Sequence, residues 1–397
     1  MTGEAPARRI APPGFVADPA LRAVLAALPG ARMVGGCVRD ALLGRAVADI
    51  DIGTPAAPEV VMAALVRAGL KAVPTGVAHG TVTAVSGHRG FEVTTLRRDV
   101  QTDGRHAVVA FTADWRADAA RRDFTINAMS MTAAGEVFDY YGGLDDLAAG
   151  RVRFVGDAAT RIAEDYLRVL RFFRFHARYG RGAADAAALV AIRAAVPGLA
   201  RLSAERVWSE LKRILTGPDP AATMALMRDC GVLAALLPEA GDPAALGALV
   251  AAGAPEDAVL RLAALIGGDG AAVAARLRLS GAEAARLVAL RATAAPPAGA
   301  GDDDLRRALA DTPREVLLGA AWLAGRGADL RERLERMAVP VFPLQGRDLA
   351  AAGLAAGPAM GELLRALRGW WLAGGCTADA AECRAELARR LAQPAPG

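Results

Sequence analysis

Residues 35–54 read GGCVRDALLGRAVADIDIGT, and the reading of this stretch decides the fold. The glycine pair opens CVRDALLG, which has helical spacing, and VADIDIG then reads as a strand. On a strand, residues i and i+2 point to the same side. Asp49 and Asp51 therefore share a face while Ile50 and Ile52 pack into the core. Two carboxylates that close repel each other, and one pKa rises unless a cation bridges them. A pair of hard oxygen donors favours Mg²⁺. The plain alternative is an edge strand with a solvated polar face.

The context upstream favours chemistry. Gly35 and Gly36 stand where a helix begins, so free backbone N–H groups and the helix dipole attract phosphate, and glycine lets that backbone come close. Arg39, one turn in, offers a forked contact to phosphate. A phosphate cradle, an arginine and metal-holding acids within twenty residues suit a nucleoside triphosphate with its Mg²⁺. Glu92, in FEVTT, completes an acidic cluster from a neighbouring strand or else faces solvent.

Outward from this stretch, residues 31–97 alternate between strand and helix patterns. ARMV reads as a short strand, PEVVMAALVRAGL as an amphipathic helix, and HGTVTAVS and FEVTTLR as strands joined by a GHRG turn. Residues 1–20, rich in Pro and Ala, read as a loose arm, and 98–118 as a loop followed by a short strand. After residue 121 the pattern is helical almost throughout, interrupted by APPAGAGDDD at 295–304.

The 397 residues exceed what one hydrophobic core usually holds, so several subdomains are expected. With 53% hydrophobic but only 5% aromatic residues, the chain is alanine-rich and helix-dominated. Lys71 and Lys212 are the only lysines. The remaining cationic side chains are arginines, which suit forked phosphate contacts and base stacking. Cys37, Cys230, Cys376 and Cys383 have no CxxC spacing, no uninterrupted apolar run reaches transmembrane length, and no secretory signal pattern opens the chain. These features lead to an expectation of a cytoplasmic protein with reduced thiols and no membrane or evident protein partner.

GGxVRDxLLGR…DIDI resembles the nucleotidyltransferase signature of the DNA polymerase beta superfamily. More narrowly, it is similar to the class II tRNA nucleotidyltransferases (CCA-adding enzymes) and their bacterial poly(A) polymerase relatives, with matching elements in order from 33 to about 215. The resemblance implies an α+β chain: a small mixed α/β nucleotidyltransferase head followed by an elongated all-helical neck, body and tail. The corresponding ranges are an arm at 1–20, the head at 21–145, the neck with a base-reading helix at 146–220, the body at 221–330 and a tail at 331–397. It also implies Asp49 and Asp51 as catalytic acids holding Mg²⁺, to which Glu92 is the candidate third acid.

RRDFTINAM at 121–129 reads as a helix start with Asp123 as N-cap. In the family this motif contacts the nucleotide's sugar and phosphates, which implies roles for Arg122, Asp123 and Asn127. EDYLRVLRFFRFHARYG at 164–180 places Asp165, Arg168, Arg171, Arg174 and Arg178 in one helical stripe among aromatics. Such a stripe is solvated or faces a cleft, and Glu164 with Arg168 makes an i,i+4 ion pair. The resemblance makes this the helix that reads the incoming base. A carboxylate accepts from the exocyclic amine of cytosine or adenine, and uracil and guanine present a carbonyl there. Asp165 and Arg168 would then select CTP and ATP without a template, with Arg171 and Arg174 nearer the triphosphate. LSAERVWSELKRILTG at 202–217 reads as a supporting helix with a serine cap and a glycine stop.

The expected reaction is addition of C, C and A to the 3′ end of tRNA from CTP and ATP. AHGTVTAV stands where bacterial poly(A) polymerases carry an arginine- and histidine-bearing signature, and residues 98–106 resemble the element that complete CCA enzymes use to switch from C to A. The alternatives are poly(A) addition to RNA and a non-catalytic RNA-binding protein. No histidine lies beyond His176, which excludes a histidine–aspartate phosphohydrolase domain. GRDLAAAGLAAGPAMGELL, from 346, either packs as a helical hairpin or touches the tRNA elbow.

Overall fold

The computed structural model of the protein describes residues 4–102 and 107–392. Its contacts divide the chain into two compact units, Met1–Pro238 and Glu239–Gly397. Every residue singled out for catalysis or nucleotide binding lies in the first.

That unit is built on an eight-stranded sheet ordered β1-β10-β9-β2-β3-β6-β5-β4. Its strands are β1 (Arg8–Arg9), β2 (Arg32–Val34), β3 (Asp51–Thr54), β4 (Lys71–Gly76), β5 (Thr81–Ser86), β6 (Arg89–Thr95), β9 (Ser130–Met131) and β10 (Glu136–Phe138). β7 (Arg97–Thr102) and β8 (Ala107–Phe111) pair with each other as a separate antiparallel hairpin. β3 and β6 run parallel, and every other pair in the large sheet is antiparallel. Between β5 and β6, Gly87 and His88 both have positive φ, at 54° and 62°. This is the backbone that a two-residue hairpin requires.

The helices of this unit are α1 (Pro19–Ala27), α2 (Gly36–Leu42), α3 (Pro58–Arg67), α4 (Trp115–Ala120), α5 (Gly143–Ala149), α6 (Ala158–Glu164), α7 (Leu167–Tyr179), α8 (Ala186–Ala195) and α9 (Ala204–Leu215). An aromatic core joins the strand-rich and helical parts. Phe124 stands 5.0 Å from Phe154 and 5.2 Å from Phe175, centroid to centroid, and Phe154 stacks on Phe172 at 5.8 Å. Burying four phenylalanines side by side contributes several kcal/mol, at about 25 cal/mol per Å² of apolar surface. α7 is thereby held rigidly against the loop that carries RRDFTIN.

Four expectations need correction. Residues 8–9 are a strand on the sheet edge, with Arg9 on Glu136 at 2.9 Å and Val16 buried, so the arm is tied to the sheet at these points although most of its residues are exposed. Part of the segment expected as a loop at 98–118 is the β7–β8 hairpin, although residues 103–106 fall outside the described residues. Beyond 121 the chain makes two further strands, β9 and β10, before its helices begin. They are only two and three residues long, too short for an alternating pattern to show. The 121–129 segment forms only the 3₁₀ turn Thr125–Asn127.

The second unit is helical. One apolar cluster gathers Leu305, Leu309, Leu317, Leu330 and Leu334, and another gathers Leu349, Leu367, Trp371, Cys383 and Leu387. The second cluster packs the helix Gly346–Ala351 against Pro358–Ala373, the expected hairpin. No helix among the described residues is long and apolar enough to cross a membrane.

Candidate active site

The cleft begins where β2 ends. Gly35 caps α2 with φ 73° and ψ −125°, a backbone that only glycine adopts easily. A side-chain carbon there would also stand 3.0 Å from Arg122 Nη1. Gly35 is thus required by its dihedral angles, and a side chain there would also crowd the Arg122 guanidinium. Gly36 follows in the first turn, with Arg39 Nη2 3.5 Å from where its Cβ would be. α2 has only seven residues, so its dipole contribution is small and arginines supply most of the positive charge.

Asp51 opens β3, directly opposite Glu92 on the parallel strand β6. Asp49 precedes the strand instead of lying on it, yet the alternation holds: Ile50 and Ile52 are buried while both acids are exposed. Loss of water around the Asp51 carboxyl raises its pKa above the usual range, Glu92 and Asp49 raise it further, and Arg122 opposes them. Repelling acids of this kind are the observation against which a cation can be tested. Among the described residues no group of three or more Asp, Glu, His or Cys is arranged to hold a metal. Two carboxylates without a cage fit an ion that takes its other oxygens from phosphate and water, as Mg²⁺ does. Cys37 of α2, its thiol 3.9 Å from the Asp51 carbonyl, is kept neutral by burial, its pKa pushed up to about 11.

A cleft of about 870 Å³ joins Asp49 and Asp51 to Gly35, Gly36 and the arginines of α7. Arg168, Arg171, Arg174 and Arg178 all line it, so the stripe faces a cavity. Arg121 and Arg122 both line it too. A second recess of about 420 Å³ meets the first at Asp49 and Asp51 and is lined by Arg89 and Glu92 on its far side.

The cleft's arginines are held by a network of acids and amides. Asp123 is nearly buried and accepts from the Phe124 N–H at 2.8 Å, Asn127 Nδ2 at 3.0 Å, and Arg171 Nε and Nη2 at 2.7 and 2.5 Å. Burial alone would raise its pKa, but Arg171 and these hydrogen bonds outweigh burial and hold it low. Asp123 is therefore the hub of a network and not the helix cap expected. Asn127 Oδ1 in turn accepts from Arg39 at 2.5 Å, and Arg39 also forks onto Asp40 at 3.0 and 2.9 Å. Arg174 donates to the buried Glu210 at 2.6 Å.

Asp165 is not on the helix. It lies at the junction of α6 and α7 with φ −155°, accepting from the Leu167 N–H at 3.1 Å and from Arg206 at 2.7 Å. Arg168 makes the i,i+4 pair with Glu164 at 2.5 Å and donates to the carbonyls of Arg161 and Arg121. Ser203 stands at the N-cap of α9, but its side chain makes no cap hydrogen bond.

Sequence reading missed Asp118, Arg206 and Glu210. Glu210 had a signal: it falls among Val207, Trp208, Leu211 and Ile214, the buried side of α9, where an acid requires a cationic partner. Asp118 had a signal too, because Arg121 and Arg122 follow it at i+3 and i+4, whereas Arg206 carries no such local mark, since its partner Asp165 comes from another element.

Comparison with known proteins identifies the family. Residues 31–153 match the family described as "Poly A polymerase head domain", and residues 185–242 match "Probable RNA and SrmB- binding site of polymerase A". The chain is 38% identical over 365 residues to the mitochondrial CCA tRNA nucleotidyltransferase 1 of Danio rerio, covering 86% of this chain and 83% of that protein. It is likewise 38% identical over 372 residues to that of Homo sapiens, covering 87% and 83%. The crystal structure of the Bacillus stearothermophilus CCA-adding enzyme in complex with CTP superposes with a TM-score of 0.76 at 27% identity, covering 94% of this chain and 98% of that one.

Proposed function

The chain belongs to the class II CCA-adding tRNA nucleotidyltransferases, and we propose that its cleft of about 870 Å³ is where it adds C, C and A to tRNA from CTP and ATP. The observation that carries this reading is that Asp49 and Asp51 open into the same cavity as the arginines of α7.

The tRNA 3′-oxygen attacks the α-phosphorus, the bond to the β-phosphate oxygen breaks, and pyrophosphate leaves. Asp49 and Asp51 would hold divalent cations, Mg²⁺ in this proposal, which when bound favour the ionised attacking oxygen and neutralise charge on the leaving group. Arg122, Arg171 and Arg174 face the triphosphate and fix its course, with Gly35 and Gly36 giving it room. Asp123, steadied by Asn127, aims Arg171, Glu210 aims Arg174, and Arg39 supports Asn127. Glu92, opposite Asp51 and lining the adjoining recess, would complete the acidic cluster around the attacking hydroxyl.

Base choice falls to Asp165 and Arg168. In the free protein Asp165 is engaged by Arg206, so an incoming cytosine or adenine amine competes for a carboxylate already held in place. The hairpin helical segment from 346 would meet the tRNA elbow. A cytoplasmic site of action is part of this proposal, and the four unpaired, buried cysteines accord with it.

The experiment is to incubate tRNA lacking its 3′ end with CTP and ATP and to sequence the product. Ends reading CCA support the proposal. A long A tract made from ATP alone would replace it with poly(A) addition, the second activity of this superfamily branch. Deleting residues 98–106 should stop the product at CC, and full CCA from that variant would remove the hairpin from the switch.

A further inference from the structure

Asp118 in α4 is a buried carboxylate that touches none of the surfaces assigned to substrate, with only 3% of its surface exposed. Its Oδ1 accepts from the backbone N–H of Arg97 at 3.2 Å and from Arg121 Nε at 2.9 Å. Its Oδ2 accepts from Arg122 Nη2 at 3.2 Å. Arg97 is the first residue of β7, and the foot of the hairpin is fixed beside it, with the Leu96 N–H on the Thr54 carbonyl at 2.8 Å and the Thr112 N–H on the Leu96 carbonyl at 2.9 Å. Arg121 and Arg122 line the cleft, and Arg122 lies close enough to Asp51 to lower its pKa.

A buried carboxylate must have its charge compensated. Here two of the three donors are guanidinium groups that also face the place of a polyanion. A triphosphate that draws Arg122 toward itself weakens the pair with Asp118. The compensation then falls more heavily on Arg121 and on the Arg97 N–H, which is strand backbone. We propose that Asp118 is a positioning residue that aims Arg121 and Arg122 into the cleft and, through the Arg97 N–H, makes the β7–β8 hairpin respond to a nucleoside triphosphate bound there. The inference rests on the reading of the cleft as a nucleotide site.

Hydrogen exchange of the β7 and β8 amides, with and without CTP and Mg²⁺, reads the coupling directly. In the wild-type chain CTP should change these rates about tenfold, which is the effect of a coupling free energy of about 1.4 kcal/mol. In Asp118→Asn, which keeps the shape but loses the charge, CTP should still bind while the hairpin response falls below about twofold. The same variant should lower kcat for C addition about tenfold with KM for CTP changed less than about threefold, because the arginines are present but poorly aimed.

A second pair of variants leaves the carboxylate untouched. Arg97→Ala keeps the N–H and should keep the response, whereas Arg97→Pro removes it and should abolish the response. Proline is tolerated at the first residue of a strand. A wild-type response in Asp118→Asn, or equal behaviour of the two Arg97 variants, would overturn the inference. A chain that does not bind CTP at all would refute the nucleotide site itself, while CTP binding with unresponsive hairpin amides would refute only the role of Asp118.

Discussion

Asp51 and Asp123 are both acids at the edge of one cleft, and their environments push them in opposite directions. The Asp51 carboxyl is partly withdrawn from water and stands beside Glu92 and Asp49, and together these outweigh Arg122, so its pKa is raised. Without a cation, its contribution to stability is present at low pH and is lost as pH rises through the folded pKa. A divalent ion should reverse that loss. At neutral pH and a tenfold excess over its Kd, Mg²⁺ should raise the melting temperature by about 2–4 °C, the equivalent of about 1.4 kcal/mol, and should fail to do so in Asp51→Asn. Replacing either Asp49 or Asp51 by alanine should lower nucleotide incorporation by at least about 10³-fold. Asp123 is held low by Arg171 and two hydrogen bonds. Its stabilisation is complete above the unfolded value near ~3.9 and disappears as pH falls through the folded one. Thermal melts from neutral to acid pH should therefore show Asp123→Asn about 2 kcal/mol less stable at neutrality, with a shallower loss below about pH 4.

Among the elements, the junction of α6 and α7 sets where Asp165, the proposed base reader, stands in the cleft. Asp165 lines the cleft from the break between the two helices, next to Tyr166, whose ring packs against Gly198 and Arg201. A Cβ on Gly198 would fall 1.8 Å from the Tyr166 ring, and Arg201 lies 5.5 Å over that ring. Gly198→Ala must therefore displace Tyr166 and the residue beside it. We expect a loss of about 1–3 kcal/mol by thermal or denaturant unfolding, together with misincorporation of U or G. Unchanged fidelity in a destabilised Gly198→Ala chain would separate the packing of Tyr166 from the aim of Asp165. Such a contact is invisible in the sequence, where Tyr166 and Gly198 are thirty-two positions apart.

At the scale of the whole molecule, every cleft residue falls within Met1–Pro238, a unit with its own sheet and aromatic core. A chain ending at residue 238 should fold cooperatively and bind CTP within about threefold of the full protein, as measured by calorimetry. Its affinity for tRNA should fall if Glu239–Gly397 carries RNA contacts. In either chain, tRNA binding should weaken steeply as salt rises, because arginine–phosphate contacts release counterions. A fragment that binds tRNA as tightly as the whole would remove the second unit from recognition.

Much was legible because it was local. The Gly35–Gly36 turn, the alternation about Asp51, the GHRG hairpin and the amphipathic α7 and α9 each follow from periodicity or backbone freedom over a few residues. The partners of the charged groups were not local. That Asp123 serves Arg171, that Arg206 holds Asp165, and that Asp118 joins Arg97 to Arg121 and Arg122 depend on elements drawn together across 21 to 48 positions. Charge spacing along a chain says which side chains share a face, but a carboxylate's partner is set by what the core packs against it. The sequence by itself determined the reaction class and singled out the acids proposed for its centre. Only the tertiary structure decided which arginines are aimed, and by which acids.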